Sequence, residues 1–114
     1  MAGDAAGIAA LYSEAGAVDY YGAPPMRGQA GIEAGLKAGF AIQQPVFLEI
    51  VAARTTPVGD SRVGELGTYH SADRLNGKLV HSWGRWVTSA AKDSAGVWRL
   101  NYLMAFPDSQ KTDK

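Results

Sequence analysis

The dipeptide Asn76-Gly77 lies between two long runs rich in β-branched and aromatic residues, 62–72 and 78–90. A type I′ turn needs positive φ at both central positions, and Asn followed by Gly adopts it readily. The two runs therefore predict a β-hairpin with a two-residue loop. That loop fixes the register and sets His70 opposite Trp83 on one face of the hairpin.

Two further runs of similar composition, residues 46–55 and 97–106, precede and follow this hairpin. Val, Thr, Tyr and Trp favour extended structure. The second half of the chain therefore predicts an antiparallel meander of four strands.

The first half of the chain shows helical periodicity. Residues 4–14 predict a helix, because Asp4 is a suitable N-cap and apolar residues recur at helical spacing as far as Tyr12. Gly16 is its predicted end. A short extended segment, residues 17–21, is predicted to follow.

A second helix is predicted over residues 29–42, with an apolar stripe at every fourth position. Gly31, Gly35 and Gly39 share one face of it. Since each glycine costs up to about 1 kcal/mol of helix propensity, they indicate close approach by another backbone or a ligand, unless the helix simply tolerates them. Helices followed by a meander are typical of the α+β class.

The predicted register divides the sheet side chains between two faces. One face carries Leu66, Thr68, His70, His81, Trp83, Arg85 and Val87, joined across a five-residue loop by Arg99, Asn101 and Leu103. The opposite, aromatic face carries Trp86, Trp98, Leu100, Tyr102, Met104 and Phe106. A shift of one residue in the last strand would exchange its side chains between the faces.

Composition excludes several classes of protein. The 114 residues include eleven Lys and Arg against eleven Asp and Glu, which argues against a nucleic-acid partner. No apolar run reaches the length of a membrane span, and the first residues do not resemble a secretory signal, so we expect a cytoplasmic protein. Residues 1–108 are predicted to form one domain and residues 109–114 a polar tail.

Several segments resemble the nuclear-transport-factor-2-like (NTF2-like) superfamily, and within it the SnoaL-like and ketosteroid-isomerase-like proteins. They are the Gly-Asp segment 3–12, the Pro-Met-Arg-Gly loop 25–28, and the glycine-aromatic strands 66–69, 84–88 and 96–100. The resemblance implies a cystatin-like, cone-shaped α+β barrel, in which a curved antiparallel sheet wraps around helices. It further implies an apolar pocket at the open end and a homodimer formed through the sheet.

Two departures from this family bear on function. The family's first helix, which carries an oxyanion tyrosine in ketosteroid isomerases, is missing, because only Met1 and Ala2 precede Gly3. The pocket is then open, or a partner subunit covers it, or the preceding segment is truncated. The position of the family's catalytic Asp is taken by Tyr20, and Asp19 serves only if the strand is bulged or shifted. Steroid isomerisation is therefore not expected.

The candidate catalytic residues are His81, Arg85 and Asp19. A histidine here is suited to general acid or base chemistry and an arginine to a carboxylate or enolate oxygen. The candidate ligand-binding residues are Tyr12, Tyr20, Tyr21, His70, Trp83, Asn101 and Leu103. Alternatively, Tyr12 belongs to the core and Tyr20 or Tyr21 to a dimer contact. No cofactor is predicted, and two histidines without a third ligand predict no metal site.

Three functions remain open at this point. The chain is a homodimer that binds a small apolar or aromatic molecule, or an isomerase or cyclase that uses His81, Arg85 or Asp19, or a protein-interaction module that uses the aromatic sheet face. The sequence contains no phosphate-binding loop and no nucleophile elbow, which argues against most kinases and hydrolases.

Overall fold

The computed structural model describes residues 4–113. Along the chain the elements are α1 (Ala5–Ala9), β1 (Tyr12–Tyr20), β2 (Met26–Arg27), α2 (Gly28–Ile42), β3 (Gln44–Pro57), β4 (Arg62–Leu75), β5 (Lys78–Lys92) and β6 (Trp98–Thr112). Gly3 of the Gly-Asp segment and Lys114 of the predicted tail lie outside the described residues.

The strands form one curved sheet in the order β2-β1-β6-β5-β4-β3. Strands β3 to β6 are the predicted antiparallel meander, and β1 adds to β6 in parallel. The α+β class is confirmed. The sheet is open, with β2 and β3 as its edges, so the barrel implied by the resemblance does not close.

The hairpin between β4 and β5 has the predicted register. Asn76 and Gly77 have φ values of 53° and 76°, as a type I′ turn requires. His70 lies opposite Trp83 as predicted, and the pairing runs without a bulge along both strands.

The first predicted helix is wrong in length. α1 is a single turn in which the Asp4 carboxylate accepts the Gly7 N–H at 2.9 Å, so the predicted N-cap is correct. The helix ends at Ala9 instead of residue 14, and Tyr12 begins β1 by pairing with Leu100 of β6. Long-range pairing with β6 overrides the local helical periodicity, and Gly16 lies inside the strand.

The predicted polar tail is also wrong. Residues 109–112 continue β6 and pair with residues 80–83 of β5. The hairpin end of β5 presents backbone groups that need partners, and polar side chains are compatible with that exposed part of the sheet.

Both helices lie on one side of the sheet, which we call the helix side; the opposite side is the outer face. The core on the helix side is small and centres on Val18 of β1 and Ile32 of α2, both almost fully buried. On β4 and β5 the helix side carries Tyr69 and Trp86, whereas the outer face carries the His70 and Trp83 side chains.

A bulge at Asn101 corrects the predicted faces of β6. Ala90 pairs with Leu100 and Ser89 with Tyr102, so Asn101 has no partner on β5. The extra residue reverses the side chains that follow it as far as a second bulge at Asp108. Tyr102, Met104 and Phe106 therefore lie on the outer face and Leu103 on the helix side, opposite to the prediction.

The three glycines of α2 have different surroundings. A Cβ atom on Gly35 would lie 2.6 Å from Sδ of Met26, so the close neighbour there is a side chain and not the predicted backbone or ligand. At Gly31 and Gly39, no described atom outside the adjoining residues and the helix's own backbone comes within 4 Å of such a Cβ, and the helix tolerates both glycines.

Candidate functional site

The outer face brings together His70, His81 and Trp83, as predicted. Nε2 of His70 lies 3.0 Å from Nδ1 of His81, and the His70 ring stacks on Trp83 with centroids 4.6 Å apart. Nε2 of His81 lies 3.4 Å from an Asp113 carboxylate oxygen. Both ring nitrogens of His81 thus have partners within the chain.

Arg85 is held by an ion pair on the same face. Its guanidinium donates to both carboxylate oxygens of Asp108, at 3.0 and 2.8 Å, and lies 5.0 Å from the Phe106 ring centroid. The hydrogen bonds to Asp108 raise the pKa of Arg85. A substrate carboxylate would have to compete with Asp108 for the Nε and Nη2 edge of the guanidinium.

Two shallow depressions border this ion pair. The first, about 360 Å³, lies beside His70 and Trp83, and the second, about 410 Å³, lies beside Tyr21 and Met104. Asp108 lines both. The outer face is therefore a broad, uneven surface divided by the pair of Arg85 and Asp108.

Asp19 does not reach the helix side. Its carboxylate accepts hydrogen bonds from Arg27 at 2.9 Å and from the Tyr102 hydroxyl at 3.0 Å. The pairing of β1 with β6 is regular from residue 17 to residue 20, so no bulge turns Asp19 inward and Tyr20 alone takes the helix side. The Arg27 hydrogen bond holds the pKa of Asp19 below its usual range, which makes it a weak base.

We expect Asp19→Asn to lower the melting temperature at pH 7 and to have little effect near pH 2. A carboxyl group whose pKa is lowered on folding stabilises the protein above its unfolded pKa of about 3.9, and that contribution is lost as the pH falls through the lower folded value. Thermal unfolding of both proteins from pH 7 to pH 2 measures the difference. Asp60→Asn, in an exposed turn, is the control. A difference that persists unchanged at pH 2 would contradict this account.

The helix side carries a second set of polar and aromatic residues. Tyr69 Oη lies 3.2 Å from Ser82 Oγ, and the Trp86 indole N–H donates to the Thr68 carbonyl oxygen at 2.9 Å. Burial raises the pKa of Tyr20, and the neighbouring Tyr69 adds to the effect. Tyr69, Ser82 and Trp86 are not among the site residues predicted from the sequence, because the strand pattern does not show which face the helices cover.

An exposed apolar edge lies next to these hydroxyl groups. Leu48 and Ile50 of β3 lie opposite Ser71 and Tyr69, and they are 62 % and 58 % exposed. Val51, the next residue, faces the outer side opposite Thr68. The helix side of β3 to β5 thus combines apolar walls with a hydroxyl pair.

The predicted ligand-binding residues are divided between the two faces. Tyr12 is buried in the core with a pKa raised by burial, and Leu103 packs against the same core. Tyr20 lies on the helix side, whereas Tyr21 is 80 % exposed beyond the end of β1. His70 and Trp83 lie on the outer face, and Asn101 lies at the bulge.

Two further properties apply to residues 4–113. They contain no group of three or more His, Cys, Asp or Glu side chains arranged to hold a metal ion. Within the same range, neither helix has the length and apolar character needed to cross a membrane.

Comparison with known proteins identifies the fold. No family model matches the sequence, and no curated protein matches it. Among solved structures, a ketosteroid isomerase-like protein from Erwinia carotovora atroseptica superposes with a TM-score of 0.86 at 12 % identity, over 94 % of this chain and 83 % of the other. An NTF2-like protein with a cystatin-like fold from Novosphingobium aromaticivorans superposes with a TM-score of 0.75 at 19 % identity, over 94 % of this chain and 71 % of the other.

The chain has the cystatin-like fold of NTF2-like proteins. A third structure, a type 2 hexachlorocyclohexane dehydrochlorinase (LinA), superposes with a TM-score of 0.85 at 12 % identity, over 94 % of this chain and 74 % of the other. The resemblance read from the sequence is thereby confirmed for the fold. Proteins with this cystatin-like fold have different activities, so function has to be argued from the side chains of the NTF2-like sheet.

Proposed function

We propose that this NTF2-like domain binds a small, largely apolar molecule on the helix side of its sheet and does so as a homodimer. The observation that carries the proposal is the exposed Leu48 and Ile50 edge beside the hydroxyl pair of Tyr69 and Ser82. Small-molecule sites combine apolar walls with a few polar groups that orient the ligand.

Hydrogen-bonding capacity favours the helix side over the outer face. On the outer face, the charged groups of Arg85, Asp108 and Asp19 already have partners within the chain. On the helix side, the bond between Tyr69 and Ser82 uses one donor, and each hydroxyl has one donor and two acceptor sites. One hydroxyl hydrogen is therefore available to a ligand oxygen.

The outer face supports the proposed homodimer. It exposes a group of large apolar side chains, which are Phe47, Val51, Leu66, Trp83 and Met104. Exposed apolar side chains on one face are typical of a protein contact, and a symmetric dimer covers them with the same face of a second copy. An activity that depends on His81, Arg85 or Asp19 finds no support at the proposed ligand site, because these residues face away from it.

Two adjacent residues of β3 provide the test. We expect Ile50→Lys to weaken binding of 2-naphthol or 4-ethylphenol about tenfold, because it removes an apolar wall and adds a charge. Val51→Lys, with similar exposure but on the opposite face, should leave the affinity within about twofold. Ligand-observed NMR titration measures both affinities. The proposal fails if neither compound binds saturably, or if the two variants weaken binding equally.

The cytoplasmic location and the absence of a nucleic-acid partner stay predictions of the sequence. The protein is also proposed to act without a cofactor.

A further inference from the structure

Asp73 is a partly buried carboxylate at the hairpin end of the helix side. One of its oxygens accepts a hydrogen bond from the Gln43 side-chain amide at 2.7 Å. Gln43 directly follows α2, so this bond shows independently that Asp73 points toward the helices. Burial raises the pKa of Asp73, and the Gln43 bond opposes that effect in part.

Among residues 4–113, no cationic side chain forms an ion pair with the Asp73 carboxylate. The residues around it on this side are Gln43, Pro45 of β3 and Val80 of β5. Lys78 lies one row further along, next to the turn, and is exposed. No Lys or Arg nitrogen of residues 4–113 lies within 4.0 Å of the carboxylate. A neutral amide satisfies one lone pair and leaves the charge uncompensated.

Asp73 lies in line with the hydroxyl pair of the proposed site. Side chains alternate along a strand, so Tyr69, Ser71 and Asp73 share the helix side. Ser82 lies opposite Ser71. At about 3.4 Å per residue, the row of Asp73 is about 7 Å from the row of Ser71 and Ser82. That separation is close to the length of one six-membered ring with a short substituent.

We propose that Asp73 binds an ammonium group of the ligand, while the hydroxyl pair of Tyr69 and Ser82 binds an oxygen at the other end of the same molecule. The inference builds on the proposed function and narrows it to small ring compounds that carry an oxygen at one end and an amine at the other. Leu48, opposite Ser71, is then the apolar wall beside the ring.

Four compounds that share a phenol group and differ at the opposite end test this. They are tyramine, with an ammonium group, tyrosol, with a hydroxyl, 4-ethylphenol, with neither, and 4-hydroxyphenylacetate, with a carboxylate. We expect affinity to fall in that order. Asp73→Asn keeps the shape of the side chain and an oxygen that accepts from Gln43. It should weaken tyramine binding about tenfold or more, while the affinity for 4-ethylphenol should change by less than about twofold.

Asp108→Asn, which removes a carboxylate from the outer face, is the matched control and should leave tyramine binding unchanged. In the unaltered protein, tyramine should also bind more weakly as Asp73 is protonated at low pH, whereas 4-ethylphenol should not. This second measurement does not depend on the folding of a variant.

The outcomes separate the two proposals. If none of the four compounds binds, the proposed function fails. If 4-ethylphenol binds as tightly as tyramine and Asp73→Asn changes neither affinity, the apolar site stands and the role of Asp73 is overturned. If Asp108→Asn weakens tyramine as much as Asp73→Asn does, attraction by overall charge explains the binding, and the role of Asp73 is again overturned.

Discussion

Gly67→Ala is expected to destabilise the domain by about 3 kcal/mol or more. A Cβ atom at this position in the middle of β4 would overlap the carbonyl oxygen of Val51 and lie 2.8 Å from Cζ2 of Trp86. Neither neighbour moves freely, because Val51 belongs to the paired backbone of β3 and Trp86 is buried. Urea unfolding, followed by circular dichroism, gives the change in free energy of unfolding.

A second glycine of the same strand provides the control. At Gly64 the nearest atoms to an added Cβ are backbone oxygens at 3.9 and 4.0 Å, which is ordinary contact. Gly64→Ala should therefore change the free energy of unfolding by less than about 0.5 kcal/mol. Equal destabilisation by both substitutions would mean that the difference in strand propensity between Gly and Ala, and not steric overlap of the added Cβ atom, sets the loss of stability.

The absence of a side chain at Gly67 also affects the side of the sheet that carries the proposed site. The missing side chain lets the Trp86 ring lie against β4, where its N–H meets the Thr68 carbonyl. Trp86 is thus fixed on the helix side of the sheet, the same side as the hydroxyls of Tyr69 and Ser82.

The sequence predicted most of what depends on local chemistry. The turn at Asn76-Gly77 has two residues with positive φ, and this fixes the pairing of β4 with β5 along its whole length. His70, His81 and Trp83 meet for that reason alone. The N-cap at Asp4 and the helix ending at Ile42 likewise follow from neighbouring residues.

The predictions that were wrong or missing concern features that depend on contacts between distant parts of the chain. Nothing near Asn101 announces a bulge, yet that one residue exchanges the faces of Leu103 and Met104. Tyr12 fits a helical stripe but pairs with β6, about ninety residues away along the chain. The roles proposed for Tyr69, Ser82 and Asp73 depend on which face the helices cover, and strand alternation is identical for both faces.

The double variant Val51→Lys, Leu66→Lys is expected to convert the proposed dimer to a monomer. Both side chains belong to the outer face, are about half exposed, and lie on adjacent strands. Because they are exposed, the substitutions leave the core unchanged, whereas in a dimer they would bury two charges per subunit without partners. We expect the dissociation constant of the dimer to rise at least about a hundredfold.

Sedimentation equilibrium distinguishes a particle of 12.0 kDa from one of twice that mass. The matched variant Leu48→Lys, Ile50→Lys changes two exposed residues of the helix side and should remain dimeric while losing the small molecule. If both variants stay dimeric, the contact lies elsewhere and the outer face needs another partner. If the unaltered protein is itself a monomer at high micromolar concentration, the homodimer is excluded, and the exposed Phe47, Trp83 and Met104 then favour the interaction module.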